Sequence, residues 1–211
     1  MTDKLVFFHA PQTRSTGVSI LLDELAAPHE LRLVNMKAGE QREASFLAVN
    51  PMGKVPAILH GDALVTEQVA IFTYLPDLFP QEGLAPAIGD PLRGPYLRWL
   101  AFYGSSFEPA IVDRAMKRDA GSIALCPYGT YDSMLSTLTD QLRGRPYLLG
   151  ARMTAADILW AGALQWTTNF GLVPKLPEIE AYLERMTKRP SFEAATARDA
   201  DIVAQQEAAV S

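Results

Sequence analysis

The tripeptide Thr66-Glu67-Gln68 opens an apolar helical pattern (Val69, Phe72, Thr73) and has the composition of an anion site. Thr66 reads as an N-cap, so the first-turn N–H groups point outward, where the helix dipole favours negative charge. Immediately upstream, PAILHGDALV reads as a β-hairpin about a His60-Gly61-Asp62 turn. Pro56, at the first residue of its first strand, removes a ladder N–H and ends the edge pairing there. Thr154-Ala155-Ala156-Asp157 is a capping box, with Met153 and Ile158 at the positions of a hydrophobic staple. Its chemistry is structural, and Asp157 is expected to support helix formation rather than to touch substrate. A lone Cys126 excludes an internal disulfide or dithiol motif and fits a reducing, cytoplasmic compartment. His9, His29 and His60 show no ligand spacing, so no metal site is expected.

The elements that must carry these residues follow from periodicity. Leu5-Val6-Phe7-Phe8 is a buried strand; Val18, Leu21, Leu22 and Leu25 recur at helical spacing; Leu31, Leu33 and Val34 form a second strand. A right-handed βαβ unit is therefore followed by the hairpin and a helix that kinks or ends near Pro76. Past a Pro/Gly/Ala-rich stretch only helices are expected, starting with Asp90-Pro91 as N-cap and N1. Further helices fit residues 128–143, 154–168, 175–188 and 191–200. The fold class is α/β plus all-α: a βαβ-ββα domain over residues 1–80, a linker over 81–90 and an all-helical domain over 91–211. The net charge of −5 gives no basic footprint, so neither nucleic acid nor a membrane surface is an expected partner. The N-terminal apolar run is too short for a signal peptide, and no stretch is long enough to span a bilayer.

Three stretches, in order and at matching spacing, carry a resemblance. They are NPMGKVPAI (Asn50 to Ile58), TEQVAI (Thr66 to Ile71) and GARMTAADI (Gly150 to Ile158). Across nearly its whole length the chain resembles the soluble glutathione transferases, bacterial-type. The resemblance implies a thioredoxin-like domain that binds glutathione as co-substrate without a metal, a helical co-substrate domain, a hydrophobic electrophile as the second substrate, and a homodimer with a role in detoxification. It implies that Val55 pairs with the cysteinyl backbone of glutathione and that Pro56, in a cis bond, fixes that turn. Glu67 binds the γ-glutamyl ammonium group, and Gln68, where the family usually has Ser, holds the carboxylate. Lys54 and Gln41 reach toward the glycyl carboxylate.

Such an enzyme must stabilise the thiolate of glutathione, the nucleophile. The segment FFHAPQTRST has no Tyr, carries Ala10 where the family commonly has Ser, and has Arg14 where cysteine-type members have Cys. The remaining hydroxyls are Thr13, Ser15 and Thr16; the strand-to-helix turn favours Thr13 or Ser15 as the donor, with Arg14 adding positive potential, and either of these two equally suits a helix cap. Ala10-Pro11-Gln12-Thr13 stands where thioredoxins have Cys-x-x-Cys, which excludes protein dithiol exchange. On the first long helix of the second domain, Trp99, Tyr103 and Phe107 are candidates to line the co-substrate pocket, with Tyr103 also a hydrogen-bond donor. The expected reaction is conjugation of the thiolate to an electrophilic small molecule. A glutathione-dependent disulfide reductase or peroxidase on the same fold and a non-catalytic glutathione-binding protein are the alternatives.

Overall fold

The computed structural model describes residues 4–208 and divides into two compact units. One unit runs to Leu75 and resumes at Arg189; the other spans Pro76–Lys188.

In the first unit, β1 (Leu5–His9), α1 (Ser15–Glu24) and β2 (Glu30–Leu33) form the βαβ element. A 3₁₀ turn (Glu40–Arg42) and the short α2 (Ala44–Leu47) lead to β3 (Ala57–His60), β4 (Ala63–Val65) and α3 (Gln68–Leu78). The sheet order is β2-β1-β3-β4, with β1 parallel to β2 and antiparallel to β3, and β3 antiparallel to β4. Phe7 therefore stands beside Leu31 on one side and Ile58 on the other. Strand alternation sends Phe8 to the face covered by α2, where it packs with Val34, Phe46 and Ala57. Burying each such aromatic contributes on the order of 2 kcal/mol. In β2 only the flanking Val34 is buried, while Leu31 and Leu33 remain exposed.

Pro56 does not spoil a sheet edge, as its position in the hairpin suggested. β3 is an internal strand, and the ladder begins at Ala57, one residue beyond the proline. α3 holds Pro76 in its last turn and ends two residues further on, at Leu78.

The last helix, α9 (Pro190–Ala208), belongs to the first unit, although residues 91–211 read as one helical domain. The reason is electrostatic as well as apolar. Arg189 makes a two-pronged contact with Glu24, with Nε 2.8 Å from Oε1 and Nη2 2.7 Å from Oε2. Arg198 donates to Ser19 Oγ and to Asp23. Both anchors lie on α1, against which α9 packs.

The second unit contains α4 (Arg93–Phe102), a π-helical turn (Tyr103–Phe107), α5 (Glu108–Met116), α6 (Tyr131–Leu142), α7 (Ala155–Asn169) and α8 (Pro177–Thr187). α4 begins at Arg93 with Leu92 at the N-cap, two residues past the expected Asp90 N-cap; the Asp90 carboxylate accepts the Leu92 N–H at 2.8 Å in the turn before it. The apolar stripe read along α4 runs through the π turn into α5, which periodicity did not separate as an element. Trp160 of α7 sits fully buried among Trp99, Tyr103 and Phe107, and its indole N–H donates to the Trp99 carbonyl at 3.0 Å. The capping box forms: Asp157, fully buried, accepts the Thr154 N–H at 2.8 Å, the Leu148 N–H at 2.8 Å and the Tyr182 hydroxyl at 3.0 Å. Burial pushes the Asp157 carboxyl up, against the pull of those donors. Among the described residues no helix is long and apolar enough to cross a membrane.

Candidate functional site

The start of α3 differs from its reading in sequence by one residue. Thr66 is not the cap: the helix begins at Gln68, and the Glu67 carbonyl accepts the first intrahelical bond, from Ile71 N–H at 3.0 Å. Glu67 adopts a left-handed backbone (φ +61°), a conformation that disfavours a residue with a Cβ by about 1 kcal/mol. Its side chain is exposed beside a helix start whose first-turn N–H groups have no intrahelical acceptor. Gln68 Nε2 donates to the Arg14 carbonyl at 3.1 Å and so ties the start of α3 to the start of α1. Gly17 of α1 lies beside Gln68 and Phe72 of α3, where a Cβ would stand at an ordinary contact distance of 3.7 Å from each. The side-chain amide of Gln68 is thus engaged with the protein.

The turn between β1 and α1 gathers Thr13, Arg14 and Ser15. Ser15 is fully buried. Its Oγ lies 2.8 Å from His9 Nδ1, 2.8 Å from Thr13 Oγ1 and 2.9 Å from the Ala10 carbonyl, and it accepts the Ala10 N–H at 3.1 Å. Ser15 Oγ is thus enclosed by protein groups, and of the two candidate hydroxyls Thr13 is the one with exposed surface. Thr13 is only half-buried; its Oγ1 meets the Ala10 carbonyl at 2.8 Å and accepts the Ser15 N–H at 3.2 Å. Thr13 thus accepts from the first residue of α1 while standing one position before its N-cap. Arg14 is exposed at the N-cap position of α1.

The Val55–Pro56 peptide bond is cis, and Val55 is half-buried at the mouth of β3. The preceding loop is fixed by Asn50, whose Nδ2 donates to the Lys54 carbonyl at 2.8 Å. Gly53 (φ +59°) packs so closely on the Gln41 carbonyl that a Cβ would stand 2.6 Å from it. This contact brings the Gln41 and Lys54 segments together. Lys54 is exposed, whereas Gln41 Oε1 is buried with no hydrogen-bond partner among the described residues. An orphaned amide oxygen of this kind is an acceptor awaiting a donor.

Tyr103 and Phe107, expected to line an open pocket, are core: they are buried against Trp160, and the Tyr103 hydroxyl donates to Glu108. Trp99 is also buried but contributes an edge to a cavity of about 550 Å³, with Leu92, Pro95, Arg98, Gln141 and Leu148. The Arg98 guanidinium lies over the Trp99 ring, 3.9 Å from its centre.

Sequence reading missed two residues. His9 ends β1 almost fully buried, with Nε2 2.9 Å from Asp199 Oδ1. Asp199 lies in α9, and its other oxygen accepts the Gln12 N–H at 2.7 Å and the Thr16 hydroxyl at 2.6 Å. Burial raises the Asp199 carboxyl, but hydrogen bonds from His9, Gln12 and Thr16 outweigh that and hold it below the usual carboxylate range. A signal existed: Phe192, Ala195 and Asp199 share the buried face of α9, so the acid falls where an apolar residue is due. Ser15, His9 and Asp199 have the residue types of a hydrolase triad, but a fully buried Ser15 offers no nucleophile to a substrate. His29 bonds the Ala27 carbonyl and His60 the Tyr74 hydroxyl, and no group of metal-ligating side chains occurs among the described residues.

Known proteins match this architecture along most of the chain. Residues 4–77 match the glutathione S-transferase N-terminal domain, and residues 129–190 match the C-terminal domain of the same family. Glutathione S-transferase GstA of Escherichia coli O157:H7 is 27% identical over 189 residues, 88% of this chain and 94% of that protein. The crystal structure of a glutathione transferase from Methylococcus capsulatus is 31% identical, with a TM-score of 0.78 over 93% of this chain and 98% of that one. A sphingomonad glutathione S-transferase, solved in complex with glutathione, is also 31% identical, with a TM-score of 0.77 over 92% and 98% of the two chains. With its thioredoxin-like first domain and helical second domain, the chain belongs to the glutathione S-transferase family.

Proposed function

We propose that the chain binds glutathione on its first unit and transfers the thiolate to an electrophilic small molecule. The observation that carries the reading is Glu67, a residue with a Cβ held in a left-handed conformation at a helix start. Backbone strain of this kind persists where the surroundings impose it, and ligand clamps are a common setting. In this reading Glu67 pairs with the γ-glutamyl ammonium group, and the Gln68 N–H holds the carboxylate at the helix start. The N–H and C=O of Val55 pair with the cysteinyl backbone as a short added strand, in the turn that Pro56 fixes. The Lys54 ammonium meets the glycyl carboxylate, and the Gln41 side chain lies toward the same end. Thr13 donates to the sulfur, while Arg14 adds positive potential at the start of α1. The reading extends to a cytoplasmic homodimer, supported by family membership and by a single cysteine, Cys126.

Calorimetric titration with glutathione, followed by parallel assays with an aryl halide and a small disulfide, tests it. Glutathione binding with conjugate formation is expected. Turnover of the disulfide alone would make the electrophile sulfur rather than carbon, and absence of glutathione binding would end the reading.

A further inference from the structure

An unbroken run of hydrogen bonds joins the last helix to the candidate sulfur donor. From Asp199 Oδ1 the steps are 2.9 Å to His9 Nε2, 2.8 Å from His9 Nδ1 to Ser15 Oγ, and 2.8 Å from Ser15 Oγ to Thr13 Oγ1. Every member but Thr13 is buried. Proton counting gives the run a direction. Asp199 is ionised and acceptor-only, taking hydrogen bonds from Gln12, Thr16 and His9, so Nε2 carries a proton. In a neutral imidazole Nδ1 is then a lone pair, and it accepts the Ser15 hydroxyl. Ser15 Oγ in turn accepts the Ala10 N–H and stands open to the Thr13 hydroxyl, with the Ala10 carbonyl 2.8 Å from Thr13 Oγ1 and 2.9 Å from Ser15 Oγ as the other acceptor for both hydroxyls.

We infer that His9 receives the thiol proton of bound glutathione through Thr13 and Ser15, with Asp199 as the positioning residue that holds the resulting imidazolium. The inference rests on Thr13 as the sulfur donor. The thiol proton passes to Thr13 Oγ1, the Thr13 proton to Ser15 Oγ and the Ser15 proton to His9 Nδ1. Two O–H bonds and one N–H bond form as the S–H bond and two O–H bonds break; the Nδ1 lone pair takes up the last proton and the S–H electron pair stays on sulfur. Afterwards Thr13 donates to the thiolate, Ser15 to Thr13, His9 Nδ1 to Ser15 and Nε2 to Asp199, so every link still has one donor and one acceptor. The negative charge on sulfur is matched by the charge on His9, and the imidazolium is matched by Asp199.

Other charged groups on the surrounding elements are engaged elsewhere. Arg198 of α9 pairs with Asp23 of α1, and Arg189 pairs with Glu24. His29, which faces His9 across the Phe7 ring, bonds the Ala27 carbonyl, and Arg14 stands exposed at the start of α1.

The test is a pH titration of thiolate absorbance of glutathione bound to the full chain, with kcat and KM for conjugation, in wild type, Asp199→Asn and His9→Gln. An Asn at 199 presents N–H to Nε2 and turns His9 to the tautomer in which Nδ1 no longer accepts. In both variants the bound thiol pKa is expected to rise by about one unit, leaving roughly tenfold less thiolate at neutral pH. kcat should fall in step while KM for glutathione changes by less than about twofold; the rise in the bound thiol's pKa is the readout that a smaller folded fraction would not produce. Should Asp199→Asn fail to fold, Ser15→Ala interrupts the run while keeping the Asp199 contacts, and the same rise is expected. An unmoved thiol pKa in folded variants overturns the relay. A wild-type protein that binds no glutathione overturns the functional reading instead.

Discussion

Replacing Glu67 separates backbone strain from ligand binding, because the two respond with opposite sign. Glu67→Ala removes the carboxylate and keeps a Cβ at φ +61°; Glu67→Gly removes both. The left-handed conformation disfavours a Cβ by about 1 kcal/mol, and added chain entropy in the unfolded state offsets part of the gain from glycine. In a chain of this length 1 kcal/mol moves the melting temperature by roughly 2–4 °C. The Gly variant is therefore expected to melt up to a few degrees above the Ala variant. Glutathione affinity should fall equally in both. Glu67 is exposed, so its pairing with an ammonium group sits at the low end for charged hydrogen bonds, about 1.5 kcal/mol, which is roughly tenfold in Kd. Differential scanning calorimetry and glutathione titration on the same samples measure both quantities. A Gly variant that melts below the Ala variant refutes the strain argument, and an unchanged Kd refutes the ammonium role.

Thr13→Val keeps the shape of the side chain and removes its hydroxyl; kcat/KM for conjugation should drop about tenfold or more, and wild-type turnover would disprove the assignment. Asp157→Ala leaves the Leu148 and Thr154 N–H groups and the Tyr182 hydroxyl without their acceptor; a loss of about 3 kcal/mol, or roughly 6–12 °C in Tm, is expected in thermal unfolding, with glutathione affinity of the folded protein unchanged. Burial alone would raise the Glu24 carboxyl, but the Arg189 and Ser191 contacts leave it below the usual carboxylate range. The unfolded chain then binds the proton more readily, so this contribution is full above that range and is lost as pH falls through the folded pKa. Acid titration of Tm should show a shallower low-pH fall in Glu24→Gln than in wild type; parallel curves would contradict it.

The parts of the fold that were legible in sequence are those with local signals. β1 announced itself as an apolar run, α7 by its capping box, and the hairpin by its His60-Gly61-Asp62 turn. The start of α3 was misplaced by one residue because a left-handed Glu67 obeys no local propensity. α9 was assigned to the wrong partner because Arg189–Glu24 and Asp199–His9 join residues more than 160 positions apart. The same separation hid the buried run behind Thr13. Ser15 looked like a free hydroxyl in TRST, and only the packing of His9 and Ala10 around it reveals that it is enclosed. The aromatic stripe of α4 likewise gave spacing but not direction, and direction is what separates core from pocket.

The most direct measurement is a crystal structure of the protein with glutathione bound. The account predicts the cysteinyl backbone paired with Val55, the γ-glutamyl carboxylate on the Gln68 N–H with its ammonium group on Glu67, and the sulfur within hydrogen-bond reach of Thr13 Oγ1. Glutathione lying away from the cis-Pro56 turn, or a sulfur whose only donors are groups other than Thr13, would contradict it.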